Sequence, residues 1–224
     1  AGQVRAEQKH VVVKVTAGAK GAYQTPVFVA LPDGGKYAEG RLVLKKGREE
    51  IPAQLFFEGK TAKIGFLVGV MSPNEVREYT LESRSKRREQ AQWAEIRIAS
   101  DAVEVHLQQL QAHETKPTYR LFTRYLTQSK PNKPFFYPIL TPDSEPLTRL
   151  WPLEANTNET HDHPHHRGMW FTHGEVNGVD FWSEEPRAGR TVHDRLEDNL
   201  SGEVFARVVA TTNWIAPKSS TIAT

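Results

Sequence analysis

The chain has 224 residues, enough for one large β domain or two smaller domains with buried cores. Apolar residues make up 38%, charged residues 25%, and the net charge is +2, which excludes a disordered chain and leaves no broad electrostatic case for nucleic acid as a partner. The absence of cysteine excludes disulfides, thiolate catalysis, iron–sulfur clusters and Cys-ligated zinc.

The start, Ala1-Gly2-Gln3-Val4, carries neither Met nor a basic and apolar leader. It reads either as the mature N-terminus of an exported protein, periplasmic or extracellular, or as a trimmed start. His10 to Val15 alternates, with Val11, Val13 and Val15 on one face. Pro26 to Leu31 and Arg41 to Lys46 follow, separated by the turn chemistry of Pro32-Asp33-Gly34-Gly35. Ala62 to Gly69 and Arg77 to Glu82 complete a series of short, regularly spaced β runs. The series predicts a small β-sandwich over residues 1–83.

Residues 84–92 read as a linker. Arg84-Ser85-Lys86-Arg87-Arg88 is flanked by Glu82 and Glu89, the pattern of a solvated charge run rather than an anion-binding patch. Glu82 to Trp93 is the best helical window, but it lacks an apolar stripe. No window approaches the roughly 18 apolar residues of a membrane span.

From residue 93 to 224 the pattern is again β. Trp93 to Ile98 and Ala102 to Leu107 alternate around a Ser100-Asp101 turn, and Leu121 to Leu126 and Pro134 to Leu140 are further strands. Pro134 to Pro138 reads as a core or edge strand, with Tyr137 as a second-choice pocket residue. Gly202 to Ala216 is a long β pattern, and Ile222-Ala223-Thr224 reads as the start of its return strand. A hairpin interrupted in its second arm points to a region truncated at its C-terminus. The whole is therefore expected to be all-β.

The chemistry concentrates in His161-Asp162-His163-Pro164-His165-His166-Arg167-Gly168, which holds four of the nine histidines. Imidazole is the commonest metal ligand and the acid–base group of neutral pH. In extended backbone His163 and His165 share a face, and His166 points away. His163-x-His165 suits two ligands to zinc, iron, copper or manganese, with His173 as the third. Glu175 then supplies an acid or base. Without a metal, His163, His166 and His173 with Glu175 or Asp180 can exchange protons with a substrate. Arg167 can hold an anionic group, and Trp170, Asn177 and Trp182 can line the substrate. Asn177-Gly178 is a type I′ turn signal, so Asp180 either caps that turn or acts on substrate. The plainer alternative is that the histidines bond backbone in a tight loop while Trp170, Phe171 and Trp182 fill a core. His10, His106, His113 and His193 are isolated in sequence; His193 sits beside Asp194 and could join a site, with surface placement the favoured reading.

Lys133 to Pro138, Thr148-Arg149-Leu150-Trp151-Pro152, Asp162 to Phe171 and His173 to Trp182 together resemble the PmoA-like family, bacterial proteins labelled "methane oxygenase PmoA". The ordered match spans about residues 115–216. The resemblance implies exported proteins with a β-supersandwich similar in shape to galactose mutarotases and polysaccharide lyases, and no established activity. Residues 93–224 are then a portion of such a supersandwich. A mean hydropathy of −0.57 and the lack of a membrane span argue against membrane-bound methane oxidation. The resemblance implies a small-molecule or glycan substrate and a lyase, epimerase or hydrolase. A metal-dependent oxygenase or oxidoreductase built on the same histidines is the first alternative, and a non-catalytic carbohydrate-binding module the second.

Overall fold

The computed structural model describes residues 2–7, 10–37, 40–85, 92–109, 117–127, 133–155, 157–217 and 221–223. The protein is all-β: among the described residues there is no α-helix, only a 3-10 turn at Gly34–Tyr37 where the Pro32 to Gly35 turn was expected. Among the same residues no helix is long and apolar enough to cross a membrane. The chain forms two compact units, Ala1–Trp93 with Gly202–Phe205, and Ala94–Ser201 with Ala206–Thr224.

The first unit contains β1 (Gly2–Glu7), β2 (His10–Thr16), β3 (Thr25–Ala30), β4 (Gly40–Lys46), β5 (Glu49–Glu58), β6 (Thr61–Val68) and β7 (Val76–Ser85). They form one antiparallel sheet in the order β1-β2-β7-β4-β5-β6-β3. Its two end strands, β1 and β3, approach each other, so the sheet curls around its own inner face in a sandwich-like arrangement. The predicted alternation fills that face: Val11, Val13 and Val15 point inward with Leu44, Ile64, Phe66 and Tyr79. Val13 lies opposite Tyr79 and Leu44 opposite Leu81, cross-strand pairs that knit the core. Each such side chain contributes about 1.5–3 kcal/mol on burial.

β5 is absent from the sequence pattern because Pro52 argues against a central strand. The structure accommodates it: Pro52 faces Val43 of β4, and pairing with β6 begins only at Ala53. Part of the expected β run Gly202 to Ala216 also behaves differently. Gly202–Phe205 is not a strand and belongs to the first unit. Gln54 Oε1 accepts from the Val204 and Phe205 N–H groups, and its Nε2 donates to the Phe205 carbonyl at 3.0 Å. The Phe205 ring packs edge-on against Phe28 and Phe56.

Of the 84–92 segment, Arg84 still lies on β7, paired with Glu50 and Glu82, whereas Lys86, Arg87 and Arg88 fall outside the described residues. His113 does too.

The second unit has a four-stranded sheet in the order β11-β10-β9-β8, from β8 (Ala94–Ile98), β9 (Ala102–Gln109), β10 (Thr118–Leu126) and β11 (Phe135–Ile139). A three-stranded sheet follows: β12 (Arg190–Leu200), β13 (Arg207–Ile215) and β14 (Thr221–Ala223). β12 is invisible to a period-two reading because its register slips twice, between His193 and Arg195 and between Leu196 and Asp198. Between β11 and β12, the described residues of 140–189 form only isolated bridges. That long irregular stretch carries the histidines.

Candidate metal centre

Pro164 lacks an N–H and keeps the histidine run out of any ladder. The chain turns instead: His163 takes φ +41°, and the His166 N–H donates to the His163 carbonyl at 2.9 Å. The turn ends at Gly168, where φ is +54° and a Cβ would lie 2.0 Å from the Phe136 carbonyl oxygen. Only glycine fits there. Met169 then exchanges both backbone hydrogen bonds with Phe136 of β11, fastening the loop to the sheet edge. Arg149 fastens the other side. Its guanidinium donates to Asp162 Oδ1 at 2.8 Å, to the Asp162 and His163 carbonyls at 2.6 Å each, and to the His166 carbonyl at 3.3 Å.

So held, the loop gathers His163, His165 and His166, whose ligand atoms all lie within 4.8 Å of one another. The His163 and His166 rings stack at 4.9 Å, and His165 meets His166 edge-on at 4.4 Å. This corrects the expected parity. Period two holds for extended backbone; a turn with one left-handed residue brings His166 back to the other two. His173 is consequently not the third member: its Nδ1 faces the Glu175 carbonyl at 2.9 Å within its own loop. A tetrahedral ion with metal–nitrogen bonds of about 2.0–2.1 Å spaces its ligands roughly 3.3 Å apart, so closure on an ion needs ring movements of roughly 1 Å. Burial is the main cause that lowers the pKa of both His165 and His166; at His165 Glu184 opposes the shift, and at both the neighbouring imidazoles and cations add to it. Both rings therefore favour the neutral form that binds metal.

Two indoles stand beside the trio. Trp170 lies 5.5 Å from His166, and Trp182 lies 6.1 Å from His166 and 5.9 Å from Trp170. Trp182 is 45% exposed and offers a free face. The expected aromatic core is instead Phe181 packed on Trp214, while Phe171 stays exposed.

Beneath the indoles is a charge cluster. Arg167 is buried and its fork is taken by both oxygens of Glu184, with its face over the Phe135 ring at 5.4 Å. It is therefore not free to hold a substrate anion, a correction that follows from burial. Lys133 is also buried; its ammonium donates to the Trp182 carbonyl at 2.7 Å and sits 5.7 Å from the Trp170 ring centroid. Burial lowers its pKa, and Glu184 at 3.9 Å opposes that shift. Sequence reading passed over Glu184, and it placed Lys133 and Arg149 in motifs without giving either a role. Single charges in irregular segments carry no periodic signal, and only their partners mark them.

The hairpin after the loop is the predicted one. Val176 and Val179 pair around Asn177 and Gly178, both at positive φ. Asn177 is thus a turn residue, and Glu175 is exposed beside it. Asp180 caps the next turn: its Oδ1 accepts from the Trp182 N–H at 2.7 Å and the Ser183 N–H at 3.3 Å. Hydrogen bonds from Ser183, then from these N–H groups, lower its pKa. None of the three carries a ligand atom in the histidine trio. Two isolated histidines are not on the surface. His106 is buried with Nε2 at 2.8 Å from Glu104, and His193 is half-buried with Nδ1 at 3.3 Å from the Tyr125 hydroxyl. Tyr137 is buried too, donating to Glu154 at 2.7 Å.

A cavity of about 280 Å³ adjoins Trp170, lined also by Tyr125, Phe136, Phe171, Val208 and Ala210.

Residues 112–224, half of the chain and all of this site, match the family of unknown function DUF6807, and the chain belongs to that family. No curated protein and no solved structure matches it.

Proposed function

We propose that this DUF6807 protein is a metal-dependent enzyme acting on a sugar or sugar derivative, with His163, His165 and His166 as the protein ligands of one divalent transition metal. The observation that carries the reading is the convergence of three imidazoles, two of them favoured in the neutral form by burial, beside two indole rings. Three protein ligands leave a position open for water or substrate, the mark of a catalytic rather than a structural site. Asp162 Oδ2 lies 3.8 Å from His163 Nε2, but no carboxylate among the described residues joins all three rings. That favours hydrolysis by metal-activated water over acid–base chemistry by a carboxylate pair. The exposed Trp182 face is the kind of surface on which a pyranose ring packs. Kinship with the PmoA-like proteins is part of the same proposal; their motifs fall within the matched residues.

The test is elemental analysis of protein purified without added metal and again after zinc loading, with alanine variants of the three histidines. The expected result is about one ion per chain, lost in each variant. A wild-type chain that retains no zinc after loading refutes the metal. A second reading, an oxidoreductase, is favoured by the all-imidazole shell, which suits iron and copper as well as zinc. Iron or copper in the purified protein selects it.

A further inference from the structure

We propose that the cavity beside Trp170 is the compartment for an apolar, ring-bearing part of the substrate, so that the substrate is an aryl or alkyl conjugate of a polar group rather than a free sugar. This rests on the reading of the trio as the reactive site. The cavity lies wholly within the second unit, between its two sheets. Val208, Ala210 and Thr212 alternate along β13 and all face it, whereas Val209 between them is exposed. Phe136 on β11 and the Trp170 indole close the other side.

Size selects the occupant. An apolar cavity of about 150 Å³ holds a benzene ring. At about 280 Å³ this one has room for two fused rings or a short branched chain. Polarity narrows it further. No charged side chain lines the cavity, and the polar side-chain groups of its lining are the hydroxyls of Tyr125, Thr191 and Thr212 and the buried Trp170 indole N–H. A sugar set against these mostly apolar walls would leave the hydroxyls facing them unpaired, at a cost of about 1–3 kcal/mol each. An aromatic ring meets no such penalty. Placement connects the two compartments: Trp170 forms a wall of the cavity and also lies 5.5 Å from the His166 ring. A ring seated against that indole points its substituent toward the imidazoles.

The probe is 2-naphthol, titrated calorimetrically into the full chain. One saturable site per chain is expected. Ala210→Phe, which fills the cavity, should weaken binding at least about tenfold, while Val209→Phe on the opposite strand face should not. Wild-type protein with no saturable binding overturns the proposal, as does a folded Ala210→Phe variant that binds equally well. If that variant does not fold, nuclear Overhauser contacts between naphthol and the Val208 methyls decide; their absence at saturation overturns it. His163→Ala separates the two readings. Loss of zinc with naphthol binding intact supports both compartments. Wild-type protein that binds naphthol but no zinc sinks the metal and leaves the pocket, and the reverse sinks the pocket alone.

Discussion

Replacing Arg149 by alanine removes a guanidinium that holds the histidine loop from outside. Three loop carbonyls lose a donor, those of Asp162 and His163 at 2.6 Å and that of His166 at 3.3 Å, although the His163 carbonyl keeps the His166 N–H. At about 1 kcal/mol net per hydrogen bond, and less for the long one, the loss is about 2–3 kcal/mol. The ion pair to Asp162 is solvent-exposed and is left out of this sum. Most of the loss should appear as disorder of residues 162–166, hence as weaker metal binding, because the ligands must be ordered before an ion can use them. About 2–3 kcal/mol corresponds to roughly 30- to 150-fold in Kd, in line with the roughly 10- to 100-fold typical of residues that support metal ligands. The assay is zinc titration against a competing chelator at pH 7.5, with circular dichroism to confirm the fold. Arg149→Lys should recover little, since an ammonium cannot span three carbonyls as a planar fork does. An Arg149→Ala chain whose zinc affinity stays within about threefold of wild type would refute this account of how the loop is held.

Gly168→Ala should destabilise the second unit by about 1–3 kcal/mol, because its Cβ meets the Phe136 carbonyl at a left-handed φ; chemical denaturation reads this directly. Glu184→Ala should cost about 3–5 kcal/mol by leaving Arg167 and Lys133 buried without their counter-charge. Adding Arg167→Met should restore part of that loss, and a double variant worse than the sum of the singles would contradict the pairing. For the metal-free protein, His165 and His166 titrate below the ordinary value near 6.5 when folded. The unfolded chain then binds protons first as pH falls. Stability should stay flat above pH ~7 and decline below ~6.5, with a shallower decline in the His165→Asn, His166→Asn double variant, as calorimetry across pH 5–8 would show. Zinc affinity should weaken over the same window as protons compete for the rings.

The fold was readable wherever period two ran unbroken. Val11, Val13 and Val15 announce a buried face, and the structure buries all three. β12 was unreadable because two register slips break its alternation, and β5 because Pro52 sits where only one neighbour pairs. The site divides the same way. Four histidines in six positions mark the loop in any reading, and Asn177-Gly178 writes its own turn. Both are local signals, and local signals survive in a linear string.

Membership of the trio is a different matter. His166 replaces His173 because one left-handed residue at His163 reverses the chain direction, which composition does not reveal. Arg167 looks free in the sequence and is spent on Glu184 in the fold, seventeen positions away. Arg149, Lys133 and the cavity on Trp170 exist as functional elements only through partners distant in the chain. Residue chemistry and backbone periodicity are properties of neighbours along the chain. Convergence, burial and charge pairing are properties of neighbours in space, and packing alone assigns those.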